Sequence, residues 1–328
     1  MRKLLSGSVG GLLVSLALHG VAQADSRALL VGVSHYPGLS GRDLVGPAND
    51  VRLMTKTLRG LGFESERLHV LSEDSGALPT RANILNGLSA LADSAKPGDW
   101  VLVYFSGHGA QVPRPPRRSD GPGEARGLDE VFLPRDTQLW NPQTQQVQGA
   151  IRDQELGAAV RRILNKGANV WAILDTCHAA DMLRKPSRAL DWRFVSPEVL
   201  NIPMQLWAER FAGSWRRAAE PRGAAPLRST PVLQGGRTGT VKPGLYVAFF
   251  SAQKDEGSLE ELLPDPEEPQ NLRRFGLFTY KFAQAAQSWG GHLAELARRL
   301  ERAYQDRPFP SPQFVGALES TFPVSAAP

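Results

Sequence analysis

Short apolar runs of strand length alternate along this chain with stretches of helical periodicity, and that alternation restricts the architectures open to it. Residues 28–33 precede a helical pattern over 48–61. Residues 68–71 precede a second over 80–95, with Thr80 placed as its N-cap. The run 100–106 follows, then a helical pattern over 153–166, the run 170–175 and the run 245–250. Helical patterns over 278–287 and 293–304 complete the series. Runs that are apolar at nearly every position are buried on both faces. The chain is therefore expected to fold as an α/β protein with a mostly parallel sheet between helices. Such sheets gather their functional groups at the carboxyl edge of the strands.

Two of these runs end on groups that can do chemistry together. Trp100-Val-Leu-Val-Tyr-Phe-Ser-Gly leads into His108, and Val170-Trp-Ala-Ile-Leu-Asp-Thr leads into Cys177. The thiolate is the nucleophilic form of cysteine, and a neighbouring imidazole lowers the thiol pKa and carries the proton. Cys177 is the only cysteine, which excludes an intrachain disulfide and a metal site built on several cysteines. The N-terminus reads as a signal peptide over 1–24: Arg2 and Lys3, an apolar stretch over 11–18, and the small-x-small site Ala22-Gln-Ala24. The apolar stretch falls short of the roughly 20 residues needed to span a bilayer. The mature chain is expected to begin at Asp25, to carry no membrane anchor after cleavage, and to be periplasmic or secreted. The net charge of +5 is scattered over loops with no basic helix face, so nucleic acid is not an expected partner.

Residues 113–127 are rich in Pro, Gly and Arg and read as a surface loop, and residues 184–243 read as a linker of similar composition. The expected organisation is a large catalytic part over 25–183, the linker, and a smaller part over 244–328 that completes the same sheet.

The segments Tyr104-Phe-Ser-Gly-His108-Gly and Asp175-Thr-Cys177-His, with Leu29-Leu-Val-Gly-Val-Ser-His-Tyr36 and Ala48-Asn-Asp50-Val upstream, resemble the metacaspase branch of the caspase-like cysteine peptidases. The resemblance is clear over residues 27–183 and weaker through Phe249-Phe-Ser-Ala-Gln253 and Gly276-Leu-Phe-Thr-Tyr280. It implies a three-layer α/β/α caspase-like fold and a cysteine-type endopeptidase. His108 would be the acid/base and Cys177 the nucleophile. The backbone N–H groups of Gly109 and Cys177 would form the oxyanion hole, and Asp50, Ser106 and Asp175 would line the primary specificity pocket. Two carboxylates in a closed pocket select arginine or lysine, so peptides or proteins with basic residues are the expected partners.

The chain departs from the family pattern at His178-Ala-Ala180, where Ser-Gly usually follows the histidine. No cofactor is expected. Calcium is the alternative, through Asp120, Glu124, Asp129 and Glu130, although their spacing matches no recognised calcium loop. If the enzyme cuts after basic residues, its own linker offers self-cleavage sites at Arg184-Lys185, Arg216-Arg217, Arg222, Arg228 and Arg237. Two other readings stand beside the peptidase: a catalytically silent caspase-like domain that binds peptides, and a cysteine amidase acting on cell-wall peptides.

Overall fold

The computed structural model describes residues 25–115, 127–177, 192–219, 242–253, 256–307 and 309–324. The proposed signal peptide, Asp120, Glu124 and His178-Ala-Ala180 lie outside these residues, as do Arg184-Lys185, Arg222, Arg228 and Arg237.

The chain opens with strand β1 (Ser26–Gly32), helix α1 (Gly46–Gly60), β2 (Leu68–Leu71), α2 (Arg81–Ser94) and β3 (Trp100–Ser106). Pro47 sits in the first turn of α1, where its missing N–H costs nothing. Thr80 caps α2 by accepting the Asn83 N–H at 3.3 Å, as its sequence position predicts. Strands β4 (Gly109–Pro113) and β5 (Leu128–Phe132) follow, then the two-residue strands β6 (Trp140–Asn141), β7 (Gln146–Val147) and β8 (Ile151–Arg152). Helix α3 (Asp153–Asn165), β9 (Asn169–Asp175), α4 (Met204–Ala219) and β10 (Tyr246–Phe250) come next. The chain then forms β11 (Glu260–Pro264), β12 (Leu272–Gly276), α5 (Leu277–Ala285), α6 (Leu293–Ala303) and β13 (Gln313–Gly316).

Six strands form one sheet in the order β13-β10-β9-β3-β1-β2, all parallel except the antiparallel edge strand β13. Successive residues point to opposite faces, and both faces are covered. Ala28, Leu30, Leu102, Tyr104, Trp171 and Phe249 pack under α1, α5 and α6, whereas Leu29, Val31, Val103, Phe105 and Ala172 pack under α2 and α3. This is the three-layer α/β/α architecture the sequence leads one to expect. Trp171 is the centre of the first layer, with the rings of Phe249, Phe282, Trp289 and Phe322 all 5.5–5.7 Å from its own. Trp171→Ala would leave a cavity that this aromatic cluster cannot fill by relaxation. A loss of about 3–5 kcal/mol in a denaturant titration is the expected result.

Register is what builds the site. Ser106 at the end of β3 pairs with Asp175 at the end of β9, and both strands run parallel. Two residues farther on, His108 and Cys177 follow these paired strand ends at the carboxyl edge, where Gly109 lies against the Cys177 carbonyl. A small sheet, β4-β5-β8, begins immediately at Gly109, and the antiparallel pair β11–β12 stands beside the N-terminus of α1. Within the stretch read as a linker, residues 192–207 are packed against the body: Arg193, Val195, Leu200, Ile202 and Trp207 are all buried.

Candidate active site

His108 is held on its backbone side by Tyr36, whose hydroxyl accepts the His108 N–H at 2.8 Å. Gly107 makes this approach possible. It has φ +151°, and a Cβ there would lie 2.8 Å from the Tyr36 oxygen. The imidazole Nε2 is 2.8 Å from the carbonyl of Arg42. A carbonyl only accepts, so Nε2 carries the proton and the lone pair lies on Nδ1, the nitrogen free to take a proton. Burial pushes the imidazole pKa down to about 4, against the opposing hydrogen bond to Arg42, so the ring is neutral at neutral pH.

The Cys177 sulfur is fully buried and accepts the N–H of Ser258 at 2.7 Å. Burial pushes this thiol up to about 12, with the Ser258 N–H opposing. Both groups are thus neutral. The cause of their burial is a piece of the chain itself: Trp192 to Val195 crosses the site in extended form. The N–H of Arg193 donates to the Ser258 carbonyl at 3.0 Å, and the Gly109 N–H donates to the Arg193 carbonyl at 2.9 Å. The Val195 N–H donates to the Gly109 carbonyl at 3.1 Å. Gly109 has no room for a side chain, since a Cβ would sit 2.0 Å from the Cys177 carbonyl oxygen.

The Arg193 side chain enters a closed acidic pocket. Its Nη2 is 2.5 Å from Asp50 and 3.2 Å from Glu260. Its Nη1 donates to Ser106 Oγ and to the Asp175 carbonyl, each at 2.9 Å, and lies 3.2 Å from the Asp175 carboxylate. All four charged side chains are almost wholly inaccessible. Burial alone would lower the arginine pKa, but Asp175, Asp50 and Glu260 together raise it well above its ordinary value. One guanidinium balances only one of three carboxylates, and burial accordingly pushes Asp50 up to about 7, although Arg193 opposes the shift.

The pocket walls are glycine. A Cβ on Gly276 would lie 2.1 Å from Asp175 and 2.7 Å from both terminal guanidinium nitrogens. One on Gly46 would lie 2.9 Å from Nη2. The remaining valences of the acids are filled locally. Gly276 N–H donates to Asp50 at 2.8 Å, and Thr279 donates to Asp175 from its N–H and hydroxyl at 3.0 and 2.6 Å. The Ser258 hydroxyl donates to the other Asp175 oxygen.

The structure therefore brings together all six residues singled out in the sequence: His108, Cys177 and Gly109 around one peptide bond, and Asp50, Ser106 and Asp175 around one guanidinium. Sequence reasoning missed Arg193, Ser258 and Glu260. Gly276 and Thr279 lay within the segment Gly276-Leu-Phe-Thr-Tyr280 that already carried the resemblance, a signal that a pocket role could have been drawn from. The arginines named as self-cleavage sites did not include Arg193. As for calcium, Asp129 is engaged by Arg114 at 2.7 Å, Arg152 at 2.8 Å and Gln154 at 3.1 Å. Among the described residues, no three His, Cys, Asp or Glu side chains are grouped to hold a metal ion.

Known proteins resemble this chain to differing extents. Metacaspase-1 of Mycosarcoma maydis is 34% identical over 167 residues, 50% of this chain and 38% of that protein. Metacaspase-1 of Candida albicans is 32% identical over 163 residues, 49% of this chain and 34% of that protein. The chain thus spans well under half the length of these relatives. The crystal structure of a Geobacter sulfurreducens protein superposes with a TM-score of 0.59, covering 93% of this chain and 100% of that one at 18% identity, a likeness of fold. The caspase-domain profile of the peptidase C14 family matches residues 25–315. Because that match runs from the first strand into the last, through every element that shapes the cleft, this chain belongs to the caspase-domain family, peptidase C14.

Proposed function

We propose that this chain is a cysteine endopeptidase that hydrolyses the peptide bond following arginine, and that its own Arg193–Phe194 bond is one it cuts. The observation that carries this reading is Arg193, whose guanidinium fills the acidic pocket while its carbonyl receives the Gly109 N–H beside Cys177. In the reaction, His108 Nδ1 takes the thiol proton and the Cys177 sulfur adds to the arginine carbonyl carbon. The oxygen becomes negative and is held by the Gly109 N–H, a donor already in place before charge develops. Collapse of the adduct breaks the C–N bond, and the departing amine receives the proton from His108. Water then hydrolyses the thioester, releasing the arginine carboxylate and restoring the thiol.

The pocket favours arginine over lysine. Its acceptors engage both terminal nitrogens of a planar fork, a two-pronged geometry that the single point charge of an ammonium does not reproduce. Peptidyl coumarin amides ending in Arg, Lys or Asp test this directly. Turnover is expected in the order Arg, then Lys by about tenfold less, with none for Asp and none from Cys177→Ala. Turnover after Asp, or turnover surviving Cys177→Ala, would sink the proposal. The charged N-terminus, the apolar stretch over 11–18 and Ala22-Gln-Ala24 support export of the mature enzyme.

A further inference from the structure

We propose that the cleft has a second specificity site, walled by Phe309 and Gly257, which selects an aromatic residue immediately before the arginine. The inference rests on the arginine-directed reading above and extends it by one residue. Trp192 occupies this site now. It forms an antiparallel bridge with Leu259, as the Arg193 N–H does with the Ser258 carbonyl, so residues 192–193 pair with 258–259 as an added strand. That pairing fixes which way the Trp192 side chain leaves the backbone.

Its indole meets two surfaces. One is Gly257, where a Cβ would stand 2.3 and 2.7 Å from two carbons of the indole ring. A side chain at 257 would thus fill the space the ring occupies. The indole also stacks on Phe309, with ring centroids 6.2 Å apart and planes 23° from parallel. Phe309 is 45% exposed even with Trp192 against it. A large apolar ring already stacked against the occupant of the cleft is a surface suited to a second ring. Stacked aromatic pairs add to the stabilisation that area burial provides. A small residue before arginine would forgo the stacking on Phe309 and leave the space over Gly257 unfilled.

The deciding measurement compares kcat/KM of the mature chain on three coumarin amides, acyl-Trp-Arg, acyl-Phe-Arg and acyl-Ala-Arg, in the parent and in Phe309→Ala. The parent is expected to favour both aromatic peptides over acyl-Ala-Arg by about tenfold. Phe309→Ala should shrink that ratio to below about threefold. Equal rates on the three peptides, or a preference untouched by Phe309→Ala, overturns the subsite while leaving arginine specificity standing. No Cys177-dependent turnover of any of them overturns both readings.

Discussion

Produced from Asp25 onward, the chain is expected to part between Arg193 and Phe194, and Arg193→Ala is expected to stay whole. Intact-mass measurement gives the answer, because the two fragments end and begin at a defined bond. The prediction follows from geometry: Arg193 presents its carbonyl to the Gly109 N–H, and the Phe194 side is held by a Val195–Gly109 hydrogen bond. Val195, Leu200, Ile202 and Trp207 remain in the core whichever state the bond is in, so the fragments should co-elute in size exclusion. Scission at Arg216 or Arg217 instead, or none at all, would contradict it.

The same variant should expose the thiol, compared with His108→Ala, which keeps Arg193 in the pocket and cannot part itself. Without the guanidinium, three buried carboxylates repel one another, and the segment loses what fastens it in the cleft. Burial is the main cause of the raised Cys177 pKa, so uncovering the sulfur restores thiolate at neutral pH, where each unit of pKa is a tenfold change. Alkylation of Cys177 by iodoacetamide at neutral pH should therefore be at least about tenfold faster in Arg193→Ala than in His108→Ala.

The second large effect is at Asp50. Its two oxygens hold Gly276, Ser106 and the guanidinium at once. Truncating one member of a buried charge pair costs about 2–5 kcal/mol, so Asp50→Ala should lower kcat/KM on arginine peptides by about thirtyfold to a few thousandfold. Asp50→Asn keeps the shape and one acceptor but loses the charge, and should fall between parent and alanine. If both variants match the parent on arginine peptides, the acidic pocket does not select the residue cleaved.

Much of the site was legible in the sequence because it depends on strand ends. Apolar runs ending at Ser106 and Asp175 become adjacent parallel strands, and register then brings His108 and Cys177 to the same edge of the sheet. Asp50 and Ser106 were legible through motifs on the first helix and the same strand. The short antiparallel strands were not, since Glu260-Glu-Leu-Leu-Pro264 and Leu272-Arg-Arg-Phe-Gly276 lack the continuous apolar pattern of a buried strand.

Arg193 marks the boundary most clearly. Nothing local separates it from the other linker arginines, and a charged side chain is ordinarily expected in water. It is buried here because Asp50, Asp175 and Glu260, lying 143, 18 and 67 residues away along the chain, converge on one point only after the sheet and the β11–β12 pair are in place. By itself the sequence determined the layered fold, through its periodicity, and put His108 and Cys177 just past the ends of two strands. Which arginine lies in the pocket, which third acid meets it, and that the cleft is covered by the chain's own backbone were decided by tertiary structure, because each depends on long-range contacts between segments that carry no periodic signal.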